Sequence, residues 1–308
     1  MEKEPGGWAD VVNCGINISR YPLYTCIDIG AAFQEDTIML LAFEFLKNSS
    51  AVLSSGVIRL SADDQFDNPK SNISPDWYRS IENVRIAATD RFNKFSHDSL
   101  FSKYGTFGLF NKKAVIDCGG YRTDSTVPHY DIILKLRRFF KQNKRKYAMI
   151  SHPSIFCYIE QNANTKELLD QWKDWQSGMV DLIFSLRSVD FTSFEWYYNL
   201  IFELFYPIID FAAYIAIPLL LIIGGISYEI VAGYLVVTLM LNIIITLSSI
   251  ILEQYANEGS VSAKNFIAFL RYTVFENFGY GQRRVFARFM GIIGYGKYKK
   301  KIKLNINE

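Results

Sequence analysis

The sequence predicts an α/β domain over residues 1–190, followed by a transmembrane helical hairpin and an interfacial helix. Three observations predict it. Residues 1–190 alternate short apolar β-like runs with segments of helical period. Two uncharged apolar runs follow, 18 residues between Asp210 and Glu229 and 23 between Glu229 and Glu253. Beyond them, Gly281 to Lys303 holds eight Lys or Arg and no acid.

In the first half, "PLYTCIDIGA" (22–31) is a short apolar run closing on Asp28, as a buried parallel strand does at its carboxyl edge. "EDTIMLLAFEFLK" (35–47) opens with acids and ends on Lys, which suits a helix and its dipole. "VLSSGVIRLS" (52–61) alternates as a strand. "YDIILKLRRFFKQNKRK" (130–146) is a helix with a basic C-terminal end, and "AMISHPSIFCYIE" (148–160) is β-like. "NTKELLDQWKDWQSGMVDLIF" (164–184) is a helix whose Asn164 and Glu167 stand in capping-box relation.

The two apolar runs predict a membrane region, 191–263, with spans at about 203–225 and 230–252. At about 1.5 Å rise per residue, 23 residues match a hydrocarbon core of roughly 30 Å. A third apolar stretch, 265–281, is broken by Arg271 and Glu276, which as an interfacial helix it would hold on its polar side. Residues 264–308 are thus expected to be that helix and a basic tail. Excess cations are retained on the cytoplasmic side, and two spans return the chain to the side it left. The expected location is the cell membrane, multi-pass, with the α/β domain and the C-terminus cytoplasmic.

Composition narrows the chemistry. A net charge of +2 with no basic stripe gives no nucleic-acid signature. Four scattered cysteines without a CxxC pair argue against disulfides and zinc, and three histidines are too few for a multi-histidine metal site. The start, "MEKEPGGWADVVN", is polar and is not expected to be a signal peptide.

In order, the landmarks are "GGWADVVNCGIN", "CIDIGAAFQED", "GTFGLFNKKAVIDCGGYRTDSTV", "QWKDWQSG" and "FENFGYGQRR". This succession resembles the membrane-embedded family 2 glycosyltransferases, the group of cellulose, hyaluronan and poly-N-acetylglucosamine synthases. The resemblance runs from about Pro5 to the tail. It implies a GT-A, Rossmann-like fold, here partial, and transfer of a sugar from a UDP-sugar to a glycan acceptor. By resemblance, Asp10, Asn13 and Asp28 fall at the nucleotide and diphosphate. Phe107, Gly108, Phe110, Gln171 and Trp175 fall at the acceptor. Asp28 falls at a Mg²⁺ or Mn²⁺ ion, required if the chain is active.

The departures from that pattern are equally specific. The family's Asp-x-Asp is Asp28-Ile29-Gly30, with one carboxylate missing; Asp28 reads equally as a strand-end cap. The family's Glu-Asp, whose Asp is the catalytic base, falls on Pro128-His129. His129 can act as a base near neutral pH or be an ordinary helix-start histidine, and Asp131 is the other candidate. The family's Gln-x-x-Arg-Trp is Gln171-Trp172-Lys173-Asp174-Trp175, an acid where a diphosphate needs a cation. Two unit charges ~4 Å apart repel by about 4 kcal/mol at an effective dielectric near 20. By the same resemblance, the family's earlier membrane helices and uridine-gripping half-sheet are expected to be missing ahead of these motifs. The expectation is a glycosyltransferase-like protein of polysaccharide synthesis that is catalytically impaired alone. The alternatives are an active UDP-sugar-dependent enzyme completed by a separately encoded N-terminal half, and a non-catalytic glycan-binding or synthase-associated subunit. Expected partners are the UDP-sugar and glycan acceptor if active, the membrane, and an active synthase or an N-terminal-half subunit.

Overall fold

The computed structural model describes residues 6–27, 30–60, 78, 81–82, 84–85, 107–125, 127–159, 164–186, 200–257 and 263–307. Asp28, with the predicted metal position, lies outside these residues, as does the predicted boundary near 190. The chain forms two compact units, one within Met1–Asp64, Ile86–Gln161 and Lys299–Glu308, the other within Gln65–Arg85 and Asn162–Tyr298.

The first unit is mixed α/β. Helices α1 (Trp8–Ile18), α2 (Thr37–Lys47), α3 (Lys112–Asp117) and α4 (Pro128–Gln142) accompany strands β1 (Leu23–Tyr24), β2 (Ala32–Phe33), β3 (Ala51–Leu60), β4 (Gly108–Asn111) and β5 (Ala148–Ile159). The strand order is β1-β4-β3-β5-β2. Only β3 and β5 pair in parallel; β1 with β4, β3 with β4, and β2 with β5 are antiparallel.

Burial patterns follow from this order. Adjacent residues of β4 point to opposite faces: Leu109 joins Leu41 of α2, Ile155 and Cys157, while Phe110 joins Ile16 of α1, Val115 of α3 and Ile132 of α4. Helices therefore cover both faces of the sheet. For that reason Ala51 to Ser55 of β3 are all buried instead of alternating as the sequence suggested. Of the parallel strand expected over 22–31, the described residues form Leu23–Tyr24, antiparallel to β4 at the end of the strand order. Between β3 and β5 the register jumps from Ser55↔Ser151 to Val57↔Phe156. Pro153 in that interval has no N–H for the ladder. Gly56 opposite it is obligatory, since a Cβ there would lie 2.6 Å from the Ile155 carbonyl oxygen.

The second unit holds α5 (Thr165–Leu186), a π-helical turn (Leu200–Phe205), α6 (Tyr206–Ile222), α7 (Tyr228–Asn257), α8 (Ala263–Phe275), a kink (Glu276–Tyr280) where Phe278 and Gly279 leave helical conformation, and α9 (Gly281–Asn307). The capping box of α5 is reciprocal: the Glu167 N–H donates to Asn164 Oδ1 at 2.9 Å, and the Asn164 N–H to Glu167 Oε2 at 3.2 Å. Among the described residues one helix is long and apolar enough to cross a membrane, α7 over Tyr228–Leu252, with mean hydropathy 2.5. The other expected span corresponds to α6, whose 17 residues cover about 25 Å at 1.5 Å each. Helices α5 and α9 meet where Gly291 removes a side chain: a Cβ there would be 2.5 Å from the Lys173 carbonyl oxygen. Ser177 Oγ donates to the Gly291 carbonyl at 2.8 Å. Glu276, expected on the polar side of an interfacial helix, is instead buried. Two guanidinium groups hold it there, as described below.

Candidate functional site

The block 107–131 organises the first unit's candidate site. Asn111 caps α3 by accepting from the Ala114 N–H at 3.1 Å. The helix ends in two consecutive left-handed glycines, Gly119 (φ 90°) and Gly120 (φ 62°). Three fixings hold this turn. Lys135 Nζ donates to the carbonyls of Gly119 and Gly120 at 3.2 and 2.6 Å. The Asn13 amide pairs with the Tyr121 backbone, donating at 2.7 Å and accepting at 2.8 Å. The Tyr24 hydroxyl donates to that of Tyr121 at 3.2 Å. Burial, above the neighbouring groups, raises the pKa of both phenols.

Helix α4 then opens with Pro128 at its first turn, where the missing N–H costs nothing. His129 packs against Trp8 with ring centroids 4.1 Å apart, and Trp8 meets Tyr121 edge-on at 5.5 Å. Asp131 is buried, with Arg122 Nη1 3.6 Å from its carboxylate; Arg122 Nε also reaches Asp124 at 2.9 Å. A general base needs an accessible lone pair within about 3 Å of the hydroxyl proton it takes. Here the imidazole lies tilted against the Trp8 ring and the carboxylate is buried with Arg122 beside it.

The second unit contains a buried chain of alternating charges that the sequence reading missed. Arg284 Nη1 lies 2.9 Å from both Glu82 and Glu276, and Arg85 Nη1 lies 2.8 Å from Glu276. Arg85 also donates to Thr246 Oγ1 at 2.7 Å, while Tyr280 and Trp172 donate to Glu82 at 3.0 and 3.2 Å. Burial works against the Arg284 charge, yet the two carboxylates outweigh it and raise the guanidinium's pKa. Arg284 and Arg288 both approach the Trp172 ring, at 5.5 and 5.6 Å, and Arg288 Nε donates to Gln176 at 2.7 Å.

The predicted site residues are therefore distributed. Asn13 is used by the Gly120-Tyr121 turn, and Asp10 sits in the first turn of α1, where a carboxylate suits the dipole. Phe107 and Phe110 are core residues, each 3% exposed, stacked on Phe33 and Tyr24. Gly108 is required by the sheet, since a Cβ would lie 2.6 Å from the Ser54 carbonyl oxygen. Gln171 is exposed and Trp175 half-buried, both on α5 of the second unit. No group of three or more His, Cys, Asp or Glu among the described residues could hold a metal ion. Those residues do not supply the oxygen set a Mg²⁺ or Mn²⁺ ion requires.

No protein-family model matches the chain, and no curated protein matches its sequence. Among solved structures, it is similar to the mannosyltransferase PcManGT from Pyrobaculum calidifontis, solved in complex with GDP-Man and Mn²⁺. The identity is 11%, over 96% of this chain and 68% of that one, with a TM-score of 0.48.

Proposed function

We propose that the chain is a membrane-anchored, family 2 glycosyltransferase-like protein of glycan synthesis that does not transfer sugar on its own. The observation that carries the second half is the start of α4, where the resemblance puts the base. His129 packs tilted against Trp8, and Asp131 is buried against Arg122. The order of motifs supports the first half, with α7 as the membrane anchor. In this reading the glycine-aromatic block has kept its architecture as a folded support while its chemistry has been withdrawn.

The test is UDP-sugar binding and hydrolysis by the purified full chain, with Mg²⁺ or Mn²⁺. The expected result is no turnover above buffer. Turnover by the lone chain that His129→Ala or Asp131→Asn abolishes would overturn the reading.

A further inference from the structure

The C-terminal end of α4 carries a charge pattern that neither the fold nor the proposed activity uses. From Ile132 to Ile159 the sequence has seven Lys or Arg and no acid. Five of these cations, Arg138, Lys141, Lys144, Arg145 and Lys146, are exposed, and none is paired with a carboxylate among the described residues. They fall within nine consecutive residues, Arg138 and Lys141 near the end of α4 and Lys144, Arg145 and Lys146 on the turn that follows it, so neighbouring charges lie within a Debye length of roughly 8 Å. A helix C-terminus attracts about half a unit of positive charge. Five exceed that need.

The backbone supplies a second, independent observation. The Arg145 N–H donates to the Phe140 carbonyl at 3.0 Å and the Lys144 N–H to the Lys141 carbonyl at 3.1 Å, the two bonds of a Schellman cap. Its left-handed position is normally glycine, but here it is Lys144, at φ 53°, the one positive-φ residue other than glycine among those described. A lysine is kept where a glycine would be more stable.

We propose that this basic cap docks on an anionic bilayer surface, through acidic phospholipid headgroups. A bilayer is the favoured polyanion because the chain carries α7, long and apolar enough to cross one, which would keep the headgroups near the rest of the chain. The cap's cations also cluster at one end of a helix, a patch suited to a charged plane rather than a stripe suited to a groove. The choice of partner rests on the membrane reading above; the charge pattern does not.

The experiment places the full chain in nanodiscs of phosphatidylcholine alone or with 30% phosphatidylglycerol. Acetylation rates of Lys141, Lys144 and Lys146 are read by mass spectrometry, with the exposed Lys47 as control. Anionic discs are expected to slow the three lysines at least fivefold at 0.1 M NaCl, and 0.5 M NaCl to remove the difference. Arg138→Gln with Arg145→Gln should remove most of the protection of the remaining lysines, since each charge is worth roughly fivefold in affinity. Lys144→Gly should weaken it too while raising Tm by about 2–4 °C, a trade-off that a purely structural lysine would not give. Equal rates in both discs, or protection by duplex DNA and not by anionic lipid, would overturn the proposal. If the chain enters neither disc, the membrane reading of α7 fails; the same footprint with added phosphatidylglycerol vesicles then decides the cap separately.

Discussion

The side-chain amide of Asn13 pairs with both backbone polar groups of Tyr121, 108 residues away, donating at 2.7 Å and accepting at 2.8 Å. This pairing joins α1 to the turn that leads into α4. Asn13→Ala leaves a part-buried N–H and C=O without partners, at about 1–3 kcal/mol. Asn13→Asp should cost at least as much at neutral pH, because a carboxylate cannot donate to the Tyr121 carbonyl. Thermal unfolding followed by circular dichroism checks both.

The two glycines of the turn should separate conformational from steric cost. A Cβ at Gly119 meets nothing nearer than Lys135 Nζ at 3.8 Å, so Gly119→Ala should cost only its left-handed backbone, about 1 kcal/mol. A Cβ at Gly120 would lie 2.7 Å from Asn13 Oδ1. Gly120→Ala should therefore cost clearly more, and in an Asn13→Ala background the excess should vanish. A double-mutant cycle measures it.

Arg284 neutralises two buried carboxylates at once. Arg284→Ala should destabilise the second unit by about 3 kcal/mol or more, since Glu82 loses a cation and Glu276 keeps only Arg85. Arg284→Met combined with Glu82→Gln should recover part of that loss by removing the stranded charge. Thermal melts in detergent are the measurement.

Cys118 gives a pH prediction. Burial, with a smaller contribution from Asp117 and against the opposing pull of Lys135, pushes its thiol up to about 11; Sγ donates to the Val115 carbonyl at 3.2 Å. At pH 8 about 0.1% is thiolate, against roughly a quarter for an unperturbed thiol, so alkylation should be about 10²-fold slower folded than unfolded. The raised value favours the folded state below about pH 9, and that contribution is lost as pH climbs through about 11. The Tm should fall over that alkaline window, and Cys118→Ala should flatten the fall.

The elements legible in the sequence were those written in local chemistry. The Asn164–Glu167 capping box appears where the residues placed it. The helices expected over 35–47 and 130–146 form over Thr37–Lys47 and Pro128–Gln142, the second stopping four residues early at the Lys144 turn. The reason is that a cap and an amphipathic stripe depend on neighbours three or four positions away. Strand 22–31 was misjudged in extent for the opposite reason: whether an apolar run forms a ladder depends on the partner beside it, and β1 has only β4.

What the sequence by itself determined was the helices near 37–47, 128–142 and 165–186, the strands near 51–60 and 148–159, and the membrane-length helix around 228–252. Tertiary structure alone decided what the motif residues touch. It buried Phe107 and Phe110, engaged His129 with Trp8 and Asp131 with Arg122, and drew Glu82, Arg85, Glu276 and Arg284 into one alternating charge chain. The physical reason is distance along the chain. Glu82 and Arg284 are 202 residues apart, and no local periodicity encodes a Coulomb contact that exists only after packing has buried the Glu82 carboxylate beside the guanidinium.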